Sequence, residues 1–173
     1  MVKYKNILIT GSNGQLGSSL KQISNLYNYN FFFKNKKELD ITNFELVENF
    51  LITNDINIVV NCAAFTNVEE AELNKELANL VNNTSVDNLS KICKNNNIQL
   101  IHLSTDFVFD GSKILPYNES DTPNPINYYG LTKLIGENKM IGYNLTKSVI
   151  IRTSWLYSDC GNNFVSKIVE KIN

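Results

Sequence analysis

Apolar residues along this chain alternate between short unbroken runs and longer stretches with a helical repeat. "NILIT", residues 6–10, is a run of the first kind, and "GSNGQLGSSLKQI" follows it at once, glycines leading into helical spacing. That order reads strand, tight turn, helix. "YNFFFK" is the next short run, and "DITNFELVENFLITN" sets Phe44, Val47, Phe50 and Leu51 on one side of a helix, with Thr42 or Asp40 as its cap. "NIVVNCAA" is apolar throughout, as expected of a strand covered on both faces in a parallel sheet. "VEEAELNKELANLVNNTSVDNLSKICKNNN" then has helical spacing over a long span. "IQLIHLSTD" and "KSVIIRTSW" complete the strands, separated by the turn-rich "FDGSKILPYNESDTPNPIN" and the helix of "NYYGLTKLIGE". The closing "NNFVSKIVEKIN" reads as the first turns of another helix, its Phe164, Val165, Ile168, Val169 and Ile172 forming an apolar stripe.

Strands alternating with helices predict an α/β fold, a doubly wound parallel sheet of Rossmann-like type. Sheets of this kind bind ligands beyond the carboxyl ends of their strands. Each unusual cluster falls at such an end: the glycines after the first strand, "NCAAFTN" after the third, "STDFVFDG" after the fourth and "RTSWLY" after the fifth.

Composition narrows the picture. A length of 173 residues with 43% hydrophobic content suits a single domain spanning 1–173. The formal charge of -1 provides no basic field, so a nucleic acid or an anionic membrane is not an expected partner. With no run long enough for a membrane span and no secretory pattern in "MVKYKNILITG", a cytoplasmic location is expected. Cys62, Cys93 and Cys160 lack zinc-site or redox spacing and read as reduced packing residues.

Gly11, Gly14 and Gly17 follow a strand and open a helix, the context in which a glycine triplet cradles a pyrophosphate at a helix N-terminus. An acid near the end of the second strand would hold the ribose diol of NAD; "KNKKELD" instead places Asn35, Lys36 and Lys37 there, which tolerates the 2′-phosphate of NADP. Asp40 lies farther along, toward the adenine region. The small residues of "NCAA", Asn61 to Ala64, let the backbone lie against a flat cofactor. Tyr129 and Lys133 are four residues apart on one helical face, whereas Tyr128 pairs with Thr132. A phenol with a pKa of about 10 is a poor proton donor near neutrality, and an adjacent ammonium lowers that value. A carbonyl receiving hydride also needs a hydrogen-bond donor, for which Thr105 and Ser104 are the candidates. His102, the only histidine, reads as core, and Glu69, Glu70 and Glu72 read as a solvated helix start.

Taken in order, the glycine turn, "NCAA", "STD" and "YYGLTK" resemble the extended short-chain dehydrogenase/reductases. "TGSNGQLG", "ELDITN", "VVNCAAFTNVEEAE", "STDFVFDG", "PYNESDTPNPINYYGLTKLIGE", "RTSWLY" and "GNNFV" resemble the dTDP-4-dehydrorhamnose reductase family in particular, over nearly the whole chain. The resemblance implies a catalytic Thr105, Tyr129 and Lys133, selecting Tyr129 over Tyr128 and Thr105 over Ser104. It implies NADPH as cofactor, with NADH as the alternative, held by Gly11, Gly14, Gln15, Leu16, Gly17, Asp40, Ile41, Ala63, Ala64, Thr66, Tyr129 and Lys133. It implies a dTDP-linked 4-keto-6-deoxy sugar as substrate, touched by Val68, Thr105, Asp106, Trp155 and Asn163. Magnesium and a homodimer enter on the resemblance alone, and no metal ligands are assigned. Phe107 departs from the family, which often has tyrosine there. The family also continues well beyond this length with a C-terminal portion that closes the sugar-nucleotide site, so the chain is expected to be the N-terminal part of the family fold with that substrate portion largely missing. Two other readings compete: a non-catalytic NADP-binding regulatory subunit similar to that of methionine adenosyltransferase, and an epimerase or dehydratase of another nucleotide sugar.

Overall fold

A computed structural model of the chain describes residues 5–160 and 163–172. Five parallel strands form one sheet: β1 (Asn6–Thr10), β2 (Asn30–Lys34), β3 (Ile58–Asn61), β4 (Gln99–Thr105) and β5 (Val149–Thr153), in the order β2-β1-β3-β4-β5. The helices are α1 (Gln15–Ile23), α2 (Phe44–Thr53), α3 (Val68–Leu73), α4 (Lys75–Asn79), α5 (Ser85–Asn95), α6 (Tyr128–Gly142) and α7 (Phe164–Ile172). From β1 the chain passes outward to β2 and then back across to β3, so the winding reverses between β1 and β3. A crevice opens at such a reversal beyond the strand ends.

Leu8, Val59 and Leu100 point to one sheet face, where they pack with Val47 and Leu51 of α2, Val86, Leu89, Ile92 and Cys93 of α5 and Met140 of α6. Burial of these aliphatic side chains stabilises the sheet by roughly 1.5–3 kcal/mol each. The opposite face is less covered than the apolar strands suggest. On β5, Val149 and Ile151 are exposed, and so are Phe164, Val165, Ile168, Val169 and Ile172 along α7. Among the described residues Trp155 packs on Phe164, and both surfaces otherwise stay largely open.

Two expectations are corrected in detail. The cap of α2 is Asn43, whose side chain accepts from Leu46 N, rather than Thr42 or Asp40; the Asp40 carboxylate instead accepts from the Thr42 amide and hydroxyl in the turn before it. The long helical span after β3 is broken at Asn74, which leaves the helical region at φ -120, ψ 61, and again loosens into a π-helical turn at Leu80–Thr84. Tertiary contacts accompany both interruptions. Glu72, at the end of α3, accepts from the Tyr128 amide at 2.7 Å, and the wider turn carries Asn82 to the backbone of Phe65 and to the Thr132 hydroxyl. Glu72 therefore ties two helices together while its side chain stays exposed, as the reading of a solvated helix start has it.

The described residues contain no helix long and apolar enough to cross a membrane. Cys62, Cys93 and Cys160 are unpaired thiols, and burial raises the pKa of both Cys62 and Cys93 to about 12.

Candidate active site

A cleft of about 770 Å³ lies over the carboxyl ends of β1, β3 and β4. Its floor begins at the turn after β1. Gly11 has φ +61, and a Cβ there would stand 2.7 Å from Ala63 N, so only glycine lets this turn touch the segment after β3. Beyond the turn α1 starts at Gly14 with no side-chain cap, whereas Asn43, Asn67 and Asn127 cap α2, α3 and α6. The first amides of α1 are thus open toward the cleft, where Gln15 and Leu16 join its lining. Unclaimed N–H groups at a helix N-terminus, backed by the helix dipole, suit a phosphate group.

Helix α6 forms the opposite wall. It comes close because Gly130 allows it: a Cβ there would meet Phe107 O at 2.1 Å. Glu137, one turn beyond Lys133 and 1% exposed, is held by Arg152 of β5 through Nε–Oε1 at 3.0 Å and Nη2–Oε2 at 2.6 Å. This paired, two-point geometry fixes the helix against the sheet. Tyr129 is 8% exposed and meets Phe107 edge to face at 5.7 Å. Tyr128 packs outside, with Lys75 Nζ 5.1 Å from its ring centroid.

The phenol does not have the lowered pKa that the Tyr–Lys spacing suggests. Burial raises it, a hydrogen bond with Thr105 works in the opposite direction, and the charge of Asp106 raises it further. The Lys133 amine is engaged elsewhere: Nζ donates to the Leu103 carbonyl at 2.6 Å and lies 3.3 Å from His102 Nε2. Burial lowers the Lys133 pKa to about 8, against a smaller opposing effect of Glu137. Thr105 Oγ1 donates to Asp106 Oδ1 at 3.1 Å and accepts from the Phe107 amide. The neighbouring Ser104 Oγ is buried and has no hydrogen-bond partner among the described residues.

Nearly all the residues anticipated from sequence border this cleft. Gly11, Gly14, Gln15, Leu16 and Gly17 lie at one end, with Asp40 and Ile41 beside them. Ala63, Ala64, Thr66 and Val68 line the middle, and Thr105, Asp106, Tyr129, Lys133 and Trp155 the far end. Trp155 is held at φ 52, an unusual backbone for so large a residue, and packs edge to face on Phe164 at 4.9 Å. Asn163 is not part of the lining: its Oδ1 caps Ser166 N and its Nδ2 donates to Ser158 O. Asn35 and Lys36 reach the cleft; Lys37 does not. Asn35 also serves its own turn, accepting from the amides of Lys37 and Glu38.

Sequence reasoning missed the engagement of His102 with Lys133 and the bridging role of Asn82. His102 carried a usable signal, a polar residue at an inward position of an otherwise apolar strand. Asn82 carried none, being one asparagine among many. Among the described residues no group of three or more His, Cys, Asp or Glu side chains could hold a metal ion, so magnesium finds no support.

Comparison with known proteins agrees with this geometry. The chain is 39% identical over 162 residues to a dTDP-4-keto-6-deoxy-D-glucose reductase of Streptomyces niveus, covering 94% of this chain and 56% of that protein. It is 39% identical over 164 residues to a dTDP-4-dehydrorhamnose reductase of Aggregatibacter actinomycetemcomitans, covering 94% and 55%. The chain therefore spans little more than half the length of these relatives. The crystal structure of dTDP-4-dehydrorhamnose reductase from Bacillus anthracis in complex with NADP superposes with a TM-score of 0.93 at 37% identity, covering 97% of this chain and 59% of that one. A UDP-glucose 4-epimerase from Brucella ovis, at 23% identity and a TM-score of 0.77, shares the fold alone. A family model described as the RmlD substrate binding domain matches residues 5–173, and the chain belongs to that family.

Proposed function

We propose that the chain is the dinucleotide-binding domain, residues 1–173, of an NADPH-dependent reductase that converts the 4-keto group of dTDP-4-dehydro-L-rhamnose to the alcohol of dTDP-L-rhamnose. One observation carries this reading: Thr105, Tyr129 and Lys133 face the same cleft as the uncapped, glycine-flanked N-terminus of α1. A pure binding module needs the second feature and not the first. The relatives named as reductases and the NADP-bound Bacillus anthracis structure support the substrate class and the cofactor.

Gly11, Gly14, Gln15, Leu16 and Gly17 would receive the pyrophosphate, Asp40 and Ile41 the adenosine side, and Ala63, Ala64 and Thr66 the middle of the cofactor. Asn35 and Lys36 favour a 2′-phosphate, with NADH the weaker alternative. When bound, NADPH supplies the hydride for the carbonyl carbon. Tyr129 donates its proton to the carbonyl oxygen; burial raises its pKa, which opposes that donation, and the hydrogen bond with Thr105 works the other way. Thr105 supplies a hydrogen bond to the oxygen as charge develops there. Lys133 would hold the nicotinamide ribose; its Nζ is turned to the Leu103 carbonyl and His102 here. Val68, Asp106 and Trp155 border the space left for the sugar nucleotide.

The test is consumption of NADPH with dTDP-4-dehydro-L-rhamnose and a panel of other nucleotide keto sugars, with cofactor affinity titrated separately. Tyr129→Phe should lower turnover on the order of a hundredfold or more while leaving NADPH affinity nearly unchanged, and Tyr128→Phe should be mild. Equal losses in the two variants would remove Tyr129 from its role.

A further inference from the structure

Behind the cleft a row of buried polar groups crosses three strands and ends at Lys133. Thr10, Asn61 and His102 are register partners on β1, β3 and β4. Each stands two residues beyond a core residue, Leu8, Val59 and Leu100 respectively, and so points to the same face, under α6. Their exposures are 1%, 1% and 0%, and Lys133 above them is 1% exposed. The contacts are continuous. Thr10 Oγ1 donates to Asn61 Oδ1 at 2.7 Å, Asn61 Nδ2 lies 3.1 Å from His102 Nδ1, and Lys133 Nζ lies 3.3 Å from His102 Nε2.

We propose that His102 is a positioning residue for Lys133, and that Thr10, Asn61, His102 and Lys133 form a proton-linked relay with two alternative hydrogen-bond directions. The donor and acceptor inventory forces this. With Asn61 Oδ1 accepting from Thr10, the amide offers only N–H groups to His102, so Nδ1 must be the bare nitrogen and Nε2 must carry the proton. That Nε2–H faces Lys133 Nζ. An ammonium has no lone pair to receive it, whereas a neutral amine does, so the arrangement in the structure is the one matched to neutral Lys133. A charged Lys133 requires His102 to accept at Nε2 and carry its proton on Nδ1. Asn61 must then present Oδ1 to His102 and Nδ2 to Thr10, which changes from donor to acceptor. The balance is a single proton gained at Lys133, with the imidazole neutral in both states and its proton moved from one ring nitrogen to the other.

Other groups set the background. Tyr129 and Glu137 share the helix, Arg152 of β5 neutralises Glu137, and Asp106 and Cys62 line the same cleft from the ends of β4 and β3. Burial and the charge of Lys133 both lower the His102 pKa, which is why the imidazolium is not one of the two states. The far end of the relay also touches the cleft: Ala63 N donates to Thr10 Oγ1 at 3.4 Å, and Ala63 borders the proposed cofactor path. The protonation state of Lys133 is therefore felt at the opposite wall.

The role of Lys133 in reduction rests on the reading above, but the relay can be tested without substrate. His102 is the only histidine in the chain, so a 15N-histidine sample gives one imidazole signal pair. Long-range proton–nitrogen correlation between about pH 6 and pH 10 should show the Nδ1–H tautomer giving way to the Nε2–H tautomer, with a midpoint near the Lys133 pKa of about 8 and no imidazolium between. In Lys133→Met the tautomer should stay constant over the same range. An imidazolium forming near the ordinary histidine pKa, a single tautomer throughout in the unmodified chain, or a tautomer change that persists in Lys133→Met would each overturn the proposal. The first two readouts need no variant, and none depends on which keto sugar is reduced.

Discussion

Replacing Lys133 with methionine isolates the cost of burying its charge. A fall from the ordinary 10.5 to about 8 corresponds to roughly 3 kcal/mol disfavouring the charged form in the folded chain. Methionine keeps most of the side chain's volume and carries no charge, so that cost disappears. Against it stands the loss of the bond to the Leu103 carbonyl at 2.6 Å and the His102 contact, about 1 kcal/mol each. At neutral pH the variant should therefore be more stable by about 1 kcal/mol. Between the folded pKa of about 8 and the unfolded 10.5 the unfolded chain holds more protons, so stability due to Lys133 rises with pH through that window. Below about 8 the full cost is present; above 10.5 it vanishes and only the lost hydrogen bonds remain, which reverses the order of the two proteins. Urea unfolding followed by circular dichroism at about pH 7 and at about pH 10.5 reads this directly. Groups such as Cys62 and Tyr129 titrate in both proteins and drop out of the difference. A stability difference that does not change between the two pH values would refute the reasoning.

Lys36→Glu should weaken NADPH binding more than NADH binding, and the preference should shrink as salt rises, because Lys36 acts by charge at the cleft edge; cofactor titrations at two ionic strengths check it. Gly130→Ala should destabilise the fold by about 1–3 kcal/mol, since the new Cβ lands on the Phe107 carbonyl at 2.1 Å and cannot be relieved by rotating a side chain. Its urea midpoint should fall with an unchanged slope. Ile168→Glu places a charge in the exposed stripe of α7 and should reduce concentration-dependent self-association in sedimentation experiments; equal association of both proteins would show that the stripe is not the contact.

Alternation of apolar runs with helical spacing was enough to specify five strands in a doubly wound sheet, because burial on a sheet face and on a helix face leaves different periods in the sequence. The glycine turn was equally legible: a strand, three glycines and a helix leave few conformations for residues 11–17. The spacing of Tyr129 and Lys133 correctly placed both on one face of α6. It could not fix their electrostatics, since burial and the charge of Asp106 are contributed by other elements and reverse the expected direction for the phenol. The capping of α2 by Asn43 is a local choice among neighbouring polar residues, whereas tertiary contacts accompany the break at Asn74 and make the bridge at Asn82, where hydrogen bonds reach distant segments. The relay from Thr10 to Lys133 belongs wholly to this second kind. Its members are far apart in the chain, and only sheet register brings their side chains into one buried row.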